Sequence, residues 1–230
     1  MNIQGLQKLT LLDFPGHTAC TVFTGGCNLR CPFCHNVPLV LDPTGEEGIS
    51  TDEFFEFLSK RHGLLDGVAV TGGEPLLQPD LEDFLKRIKD SGFAVKLDTN
   101  GAFPERLMHI ISSGLVDYIA MDIKNTPSKY AMTSGVENAV FTPFGESIDL
   151  IMASGVDYEF RTTVVDEFHT VDDIAEIGEI IKGAKRYFLQ AFKDSGILSE
   201  LSSHAASEEK MNAMLRVVEG KVQTAEIRGM

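Results

Sequence analysis

The sequence alternates short β-rich runs with stretches of helical periodicity along nearly its whole length. A strand followed by a helix, repeated many times, is typical of βα units, whose strands pair in parallel. The pattern therefore predicts an α/β fold with a central parallel sheet. The predicted strands cover residues 18–24, 67–71, 93–98, 117–123, 156–165 and 186–192, with a further β-like run at 221–227.

Helical stretches between these strands carry apolar residues on one face. After Pro79 and Asp80, four apolar residues fall at positions i, i+3, i+4 and i+7, which predicts a helix packed on the sheet. Two more helices are predicted on similar grounds, one after the capping-box pair Ser50 and Glu53 and one over residues 171–182. The four apolar residues are Leu81, Phe84, Leu85 and Ile88.

Six βα units without a repeat, a linker or a low-complexity tract indicate a single domain over residues 1–230. A closed barrel of eight units normally needs about 250 residues. The chain therefore predicts an incomplete (βα)6 barrel, which is a partial TIM barrel. Because ligands of such folds bind at the carboxyl ends of the strands, functional residues are expected directly after the predicted strands.

The chain is acidic, with 20 Lys and Arg against 34 Asp and Glu and a net charge of −14. This charge repels a phosphate backbone, so nucleic acid is not expected as a partner. No apolar run reaches the ~18 residues of a membrane span, and the segment from Met1 to Thr10 lacks the pattern of a signal peptide. A cytoplasmic protein that does not bind a membrane is expected.

Three of the four cysteines lie within eight residues, soon after the first predicted strand. Cys27, Cys31 and Cys34 form a CxxxCxxC motif, a spacing that favours a metal centre over a disulfide framework. Three thiolates can hold a four-iron cluster and leave one iron open to another ligand. Two alternatives are a zinc site completed by His35 and a redox pair of Cys31 and Cys34. Cys20 lies in an apolar run and is expected to be a buried structural thiol.

Small and polar residues follow the next three predicted strands. Gly72, Gly73 and Glu74 follow the second strand, Asp98-Thr99-Asn100-Gly101 ends the third, and Asp122-Ile123-Lys124 ends the fourth. Paired glycines let a ligand approach the backbone closely, and a glutamate can accept hydrogen bonds from an ammonium group. Ordinary turns and solubilising polar residues are the alternative interpretation.

Taken in order, these motifs resemble the radical S-adenosylmethionine (SAM) superfamily, and within it the activating proteins of glycyl-radical enzymes. The cysteine motif with His35-Asn36, the Gly72-Gly73-Glu74-Pro75 turn and the two Asp-containing strand ends carry the similarity. Residues 13–16, 23–32 and 161–165 are most similar to the members that activate anaerobic ribonucleoside-triphosphate reductase. The similarity covers about residues 9–192 and fades afterwards.

The resemblance implies a four-iron, four-sulfur cluster, with SAM bound to the open iron through its amino and carboxylate groups. In this chain, Glu74 and the backbone of Gly72 and Gly73 would hold the methionyl ammonium group. The implied cluster ligands are Cys27, Cys31 and Cys34.

The other residues implied for the SAM pocket surround its adenine and carboxylate groups. Phe33, directly before the last cysteine, would lie beside the adenine, with His35 in the same loop. Asp122 and Lys124 match an Asp-x-Lys motif that contacts SAM. Two later residues match pocket positions, and three residues match a small monovalent cation site beside the SAM carboxylate. The two are Arg161 and His169, and the three are Asp98, Thr99 and Asp122.

The implied reaction is a one-electron reductive cleavage of SAM. It yields a 5′-deoxyadenosyl radical that removes a Cα hydrogen from a glycine of a partner protein. Because the cofactors supply this chemistry, no side chain is assigned as a catalytic acid or base. The implied partners are a glycyl-radical enzyme, foremost anaerobic ribonucleotide reductase, and a flavodoxin or ferredoxin as electron donor.

Two other functions are compatible with the sequence. A radical SAM enzyme that acts on a small molecule, similar to the carboxy-deazaguanine synthases, shares the partial barrel. The Asp122-x-Lys124 and Arg161-Thr162-Thr163 motifs favour the activating proteins over this function. A zinc-binding or electron-transfer protein without SAM chemistry is the third possibility, and iron content with 5′-deoxyadenosine formation distinguishes it.

Overall fold

The computed structural model describes residues 1–41, 48–193 and 203–230. Within these residues, eight strands form one sheet in which spatial order follows sequence order. The strands are β1 (Ile3–Thr10), β2 (Ala19–Thr24), β3 (Gly67–Gly72), β4 (Ala94–Thr99), β5 (Tyr118–Asp122), β6 (Asp157–Val164), β7 (Arg186–Ala191) and β8 (Thr224–Arg228).

Helices lie in the connections between the strands. The helix predicted after Pro79 is confirmed over Leu81–Asp90. The capping box of Ser50 and Glu53 is also confirmed, and it begins a helix over Thr51–Ser59. The α-helices of the described residues are α1 (Val37–Leu41), α2 (Thr51–Ser59), α3 (Leu81–Asp90), α4 (Pro104–Ser112), α5 (Tyr130–Ser134), α6 (Thr142–Ala153), α7 (Val171–Ile180) and α8 (Glu208–Val218).

The sheet is parallel from β2 to β8, and only β1 pairs antiparallel, with β2. The six predicted parallel strands are all present, and the β-like run at 221–227 forms a seventh, β8. The sheet is curled, so that its two ends approach each other. Leu11 and Leu12, after β1, line one cavity together with Arg228 of β8. In the part of the chain described, β1 and β8 are the unjoined ends of this sheet. The incomplete barrel predicted from the sequence is therefore confirmed.

The sequence does not predict β1. Only its end residues, Ile3 and Thr10, are buried, and the six residues between them are half-buried or exposed. An edge strand of this kind lacks the regular apolar alternation by which strands are recognised.

The core lies between the sheet and its helices. The apolar face predicted for α3 is buried, and it belongs to the same hydrophobic cluster as Ile3 near the amino end and Val222 near the carboxyl end. Cys20 is fully buried in this cluster, as expected, and burial raises its pKa to about 12. Among the described residues, no helix is both long enough and apolar enough to span a membrane.

Candidate active site

The carboxyl ends of the parallel strands open onto a cavity of about 610 Å³. Residues 25–36, which follow β2 and are called the cysteine loop below, form one wall. Cys27, Cys31 and Cys34 are half-buried free thiols that line the cavity. Burial raises the pKa of the Cys31 thiol to about 11 and also raises that of Cys27. A cationic metal is therefore what would hold these sulfurs as thiolates.

The turn after β3 supports the cysteine loop through direct backbone contact. The Gly73 N–H donates to the Thr24 carbonyl at 2.9 Å, and the Glu74 N–H donates to the Gly26 carbonyl at 2.8 Å. Gly72 has a φ of 122°, where residues with a Cβ are strained. A Cβ on Gly73 would lie only 1.9 Å from the Gly26 carbonyl oxygen. Both glycines line the cavity, but packing of Gly72 against Thr24 of β2 and of Gly73 against Gly26 of the cysteine loop already requires glycine.

Glu74 is fully buried and stands behind the cavity wall. Its Oε1 accepts from the Leu76 N–H at 3.1 Å and the Thr99 hydroxyl at 2.8 Å, and its Oε2 accepts from the Asn100 N–H at 2.7 Å. Burial raises the pKa of Glu74 to about 7, although these donors act in the opposite direction. The carboxylate thus ties the end of β3 to the end of β4, and the expected direct contact of Glu74 with an ammonium group stays a prediction.

Asn100 is absent from the residues predicted for the site, yet it links Glu74 to the cysteine loop. Its Nδ2 donates to Asn28 Oδ1 at 2.8 Å and lies 3.8 Å from Cys27 Sγ. Its Oδ1 accepts from the Ala102 N–H at 2.9 Å, which fixes the orientation of the amide. Its place at a strand end is the sequence signal that could have identified it.

The ends of β4, β5 and β6 bring four charged side chains together on the opposite side of the cavity. Arg161 donates to both carboxylates, from Nη1 to Asp98 Oδ2 at 3.0 Å and from Nε to Asp122 Oδ1 at 2.8 Å. Lys124 Nζ donates to Asp122 Oδ2 at 3.0 Å. Burial acts to raise the pKa of Asp122, but the Arg161 and Lys124 cations outweigh it and hold that pKa well below its usual range. All four groups are therefore charged at neutral pH.

Two further charges, Lys96 on β4 and Glu159 on β6, lie inside the barrel and are not predicted from the sequence. Lys96 is 1% exposed and forms an ion pair with Asp98 Oδ1. Glu159 is also 1% exposed, accepts from the Tyr118 hydroxyl at 3.0 Å and pairs with Arg228 at 3.1 Å. Both carboxylate oxygens of Asp98 therefore pair with protein cations. The expected monovalent cation would need oxygens that are free to bind it.

The aromatic residues of the cysteine loop form the wall nearest the end of β7. Phe33 is buried, lines the cavity and packs against Phe168, with 5.7 Å between the ring centroids. His35 lines the cavity and stacks on Phe192 at 5.5 Å. Burial lowers the pKa of His35, so the ring is neutral at physiological pH.

His169 is buried and does not reach the cavity. Its Nδ1 accepts from the Val165 N–H at 3.1 Å, and its Nε2 lies 2.8 Å from the Lys124 carbonyl oxygen, which assigns the proton to Nε2. Burial lowers the pKa of this ring. The ring thus holds the backbone of Lys124, and the expected place of His169 in the SAM pocket stays a prediction.

The cavity thus gathers nine of the eleven residues predicted for the SAM pocket with the three cysteines, and only Glu74 and His169 lie outside it. The nine are Phe33, His35, Gly72, Gly73, Asp98, Thr99, Asp122, Lys124 and Arg161.

The zinc alternative is decided by metal analysis. In the described ranges, no three His, Cys, Asp or Glu side chains converge closely enough to hold one metal ion. A tetrahedral zinc site binds one ion through all its ligands, whereas in a four-iron cluster each cysteine binds a different iron. Iron or zinc in the purified protein distinguishes the two centres.

Comparison with known proteins agrees with this geometry. The sequence profile of the Radical SAM superfamily matches residues 21–181. A candidate glycyl-radical enzyme activating enzyme of Methanocaldococcus jannaschii is 32% identical over 207 residues, which cover 86% of this chain and 82% of that protein. A pyruvate formate-lyase-activating enzyme of Clostridium pasteurianum is 28% identical over 206 residues, which cover 85% of this chain and 83% of that protein.

Among solved structures, Streptococcus suis SuiB bound to SAM shares the fold, with a TM-score of 0.72 and 11% identity over 90% of this chain and 49% of that chain. The fold, the cysteine loop and the profile match define the class: this is a radical SAM enzyme, of a superfamily that uses a four-iron, four-sulfur cluster and SAM. Within that superfamily, the chain belongs to the glycyl-radical-enzyme activating enzymes.

Proposed function

We propose that the 610 Å³ cavity binds SAM beside a four-iron, four-sulfur cluster whose ligands are Cys27, Cys31 and Cys34. The observation that carries this proposal is that the cysteine loop and the charged ends of β4, β5 and β6 line one cavity. Its volume lies in the range of about 300–1,000 Å³ that is usual for small-molecule sites. When bound, the cluster supplies the electron that cleaves SAM into a carbon-centred radical.

The residues of the chain bind and orient SAM and exclude water, and none transfers a proton. Lys124 and Arg161 line the cavity, as does Arg30 of the cysteine loop, and the first two suit the SAM carboxylate. The backbone at Gly72 and Gly73 suits the methionyl ammonium group. Phe33 offers an apolar face to the adenine.

Replacement of Lys124 by methionine is expected to weaken SAM binding while iron content stays normal. A hydrogen bond to a charged group is worth on the order of 1.5–3 kcal/mol, so affinity should fall roughly ten- to a hundredfold. Lys124 Nζ donates to Asp122 and is not one of the three proposed cluster ligands, which is why the cluster should persist. Anaerobic titration with SAM measures the change.

Lys86→Met is the matched control, since Lys86 is exposed and pairs with Asp90 one helical turn away. It removes the same charge from the protein far from the cavity. Equal SAM affinity in the Lys124 and Lys86 variants would contradict the proposed pocket.

The proposed acceptor of the radical is a glycine in a separate protein, foremost anaerobic ribonucleoside-triphosphate reductase. A second cavity, of about 580 Å³, lies at the lateral opening between the loop after β1 and the end of β8, and it shares Asp98 and Arg161 with the SAM cavity. A lateral route of this kind suits a polypeptide loop, which a closed barrel would exclude. The reductase is favoured over other glycyl-radical enzymes by the motifs at residues 13–16 and 161–165.

The test is an anaerobic incubation of the reduced enzyme with SAM and an anaerobic ribonucleotide reductase. A glycyl radical is a stable product, so we expect a doublet in electron paramagnetic resonance and about one 5′-deoxyadenosine per radical installed. The signal should appear only with all components present. A small metabolite that drives many turnovers, with no radical on any glycyl-radical enzyme, would assign the protein to the small-molecule class instead.

The remaining parts of the proposal concern organisation and electron supply. One hydrophobic cluster includes residues from Ile3 to Val222, which supports a single radical SAM domain. A flavodoxin or ferredoxin is the proposed electron donor, since the reaction consumes single electrons. Reduction of the cluster by each purified donor, followed optically, tests this choice.

A further inference from the structure

Small cations in proteins bind to oxygen ligands, and Asp98 and Asp122 are the carboxylates that would supply them beside a bound SAM carboxylate. In this protein, each of their four oxygens already faces a nitrogen cation. Lys96 and Arg161 take the two oxygens of Asp98, and Arg161 and Lys124 take those of Asp122. A further cation placed at these oxygens would be repelled by three fixed positive charges.

Lys96 is the unusual member of this group. It lies two residues before Asp98 on β4, so both side chains leave the same face of the strand, toward the barrel interior. Its side chain is 1% exposed, and lysine is almost never buried this fully unless it is paired. The strand therefore holds an ammonium group in a fixed position against the carboxylate of Asp98.

The two carboxylates of the group are balanced without help from an ion. Lys96, Arg161 and Lys124 contribute three positive charges against Asp98 and Asp122. The neighbouring Glu159 pairs with Arg228 and lies 3.9 Å from Arg161 Nη1. Asp13 also lines the cavity, and its Oδ2 accepts from the Thr21 hydroxyl. Asp98 and Asp122 therefore need no further cation to balance their charge.

We propose that the Lys96 ammonium takes the place of a small monovalent cation beside Asp98 and Asp122, so that SAM binding by this enzyme does not depend on potassium or sodium. Lys96 acts through Asp98 and is a positioning residue. It holds Asp98 in the orientation that fixes Arg161 toward the cavity. This inference rests on the SAM pocket proposed above.

The first test measures SAM affinity of the cluster-loaded wild-type enzyme with potassium replaced stepwise by tetramethylammonium at constant ionic strength. The readout is the change in the resonance spectrum of the reduced cluster on SAM binding. We expect less than about a twofold change in affinity across the series. If SAM affinity rises about tenfold or more with potassium, the role proposed for Lys96 is wrong, but the proposed SAM pocket still stands. No SAM binding in any buffer would instead overturn the pocket, and the role of Lys96 with it.

The second test is Lys96→Met, which keeps the length of the side chain and removes its charge. Without potassium, SAM affinity should fall roughly ten- to a hundredfold, and potassium or ammonium ions should restore most of it. Recovery by added cations is a readout that a general loss of packing would not give. A loss of affinity that no cation restores would overturn the proposal.

Two variants complete the design. Lys60→Met removes one charge from an exposed pair with Glu56 and should behave as the wild type in every buffer. Lys96→Arg keeps a positive charge and should retain affinity in the absence of potassium. If Lys96→Met fails to fold, the cation series on the wild type and on Lys96→Arg still decides the question, because cation dependence in either protein contradicts the proposal.

Discussion

Replacement of Cys27, Cys31 or Cys34 by alanine is expected to abolish both the iron–sulfur cluster and the cleavage of SAM. The cysteine loop offers three thiols to the cavity, and two thiolates do not hold a four-iron cluster firmly. Each single variant should therefore lose essentially all cluster absorbance after anaerobic reconstitution. Iron and sulfide analysis, with 5′-deoxyadenosine formation in the presence of dithionite, measures both losses.

Cys20→Ala is the matched control for these variants. Cys20 lies on β2, fully buried in the hydrophobic core and apart from the cysteine loop. Its substitution removes a thiol and leaves a small cavity, so a modest loss of thermal stability is expected with a normal cluster. A Cys20 variant without cluster, or a Cys31 variant that keeps one, would show that the ligand assignment is wrong.

Gly73→Ala is expected to prevent cluster assembly although it removes no ligand. The new Cβ would lie 1.9 Å from the Gly26 carbonyl oxygen, a backbone atom that cannot turn aside. The cysteine loop must therefore move, and the hydrogen bond from the Gly73 N–H to Thr24 must lengthen or break. Overpacking of this kind costs about 1–3 kcal/mol or more, here concentrated at the support of the three thiols. Iron content after reconstitution should fall to a small fraction of the wild-type value.

Gly145→Ala tests the same change where there is room. Gly145 lies in α6, and a Cβ there would meet its nearest neighbour, the Phe141 ring, at 3.4 Å. Alanine is also the better helix former, so the variant should keep its cluster and be at least as stable as the wild type. Normal iron content in Gly73→Ala would mean that the cysteine loop tolerates displacement, against the fixed contact described here.

Most of the fold is predictable because its signals are local. The strands β2, β3 and β5 are short, mostly apolar runs buried on both faces. The helix α2 combines a capping box with an apolar face, and α3 has a regular apolar face. The strand β1 shows where this fails. Its pairing with β2 comes from the edge position and from backbone hydrogen bonds, which leave no pattern in the side chains.

The site is less predictable because, in a barrel, the polar residues of an alternating polar and apolar strand can face the interior instead of solvent. On β6, Glu159 and Arg161 alternate with the buried Phe160, which normally indicates a polar face toward solvent. In this protein the polar face of β6 points into the barrel. There, Arg161 pairs with Asp98 and Asp122 and also lies close to Glu159. Motif resemblance finds Arg161, but it does not find Lys96, which pairs with Asp98 on its own strand, or Glu159, which pairs with Arg228 on β8.

Resemblance also identifies special positions without giving their contacts, as two residues show. Glu74 and His169 both match family motifs, yet both are buried behind the cavity and hold other residues in place. The sequence records that a position is special. Whether its side chain touches a ligand or supports a neighbour depends on a rotamer and on the surrounding packing, which only the folded structure determines.

The strand order has a consequence for the way the protein is made. Spatial order equals sequence order, so a chain that folds from its amino end during synthesis adds each strand to the edge of those already formed. The support of the cysteine loop by Gly73 and Asn100 needs only β2, β3 and β4. Arg161 arrives two strands later, on β6. The contacts of Gly73 and Asn100 with the cysteine loop can therefore form during synthesis before Arg161 joins the site.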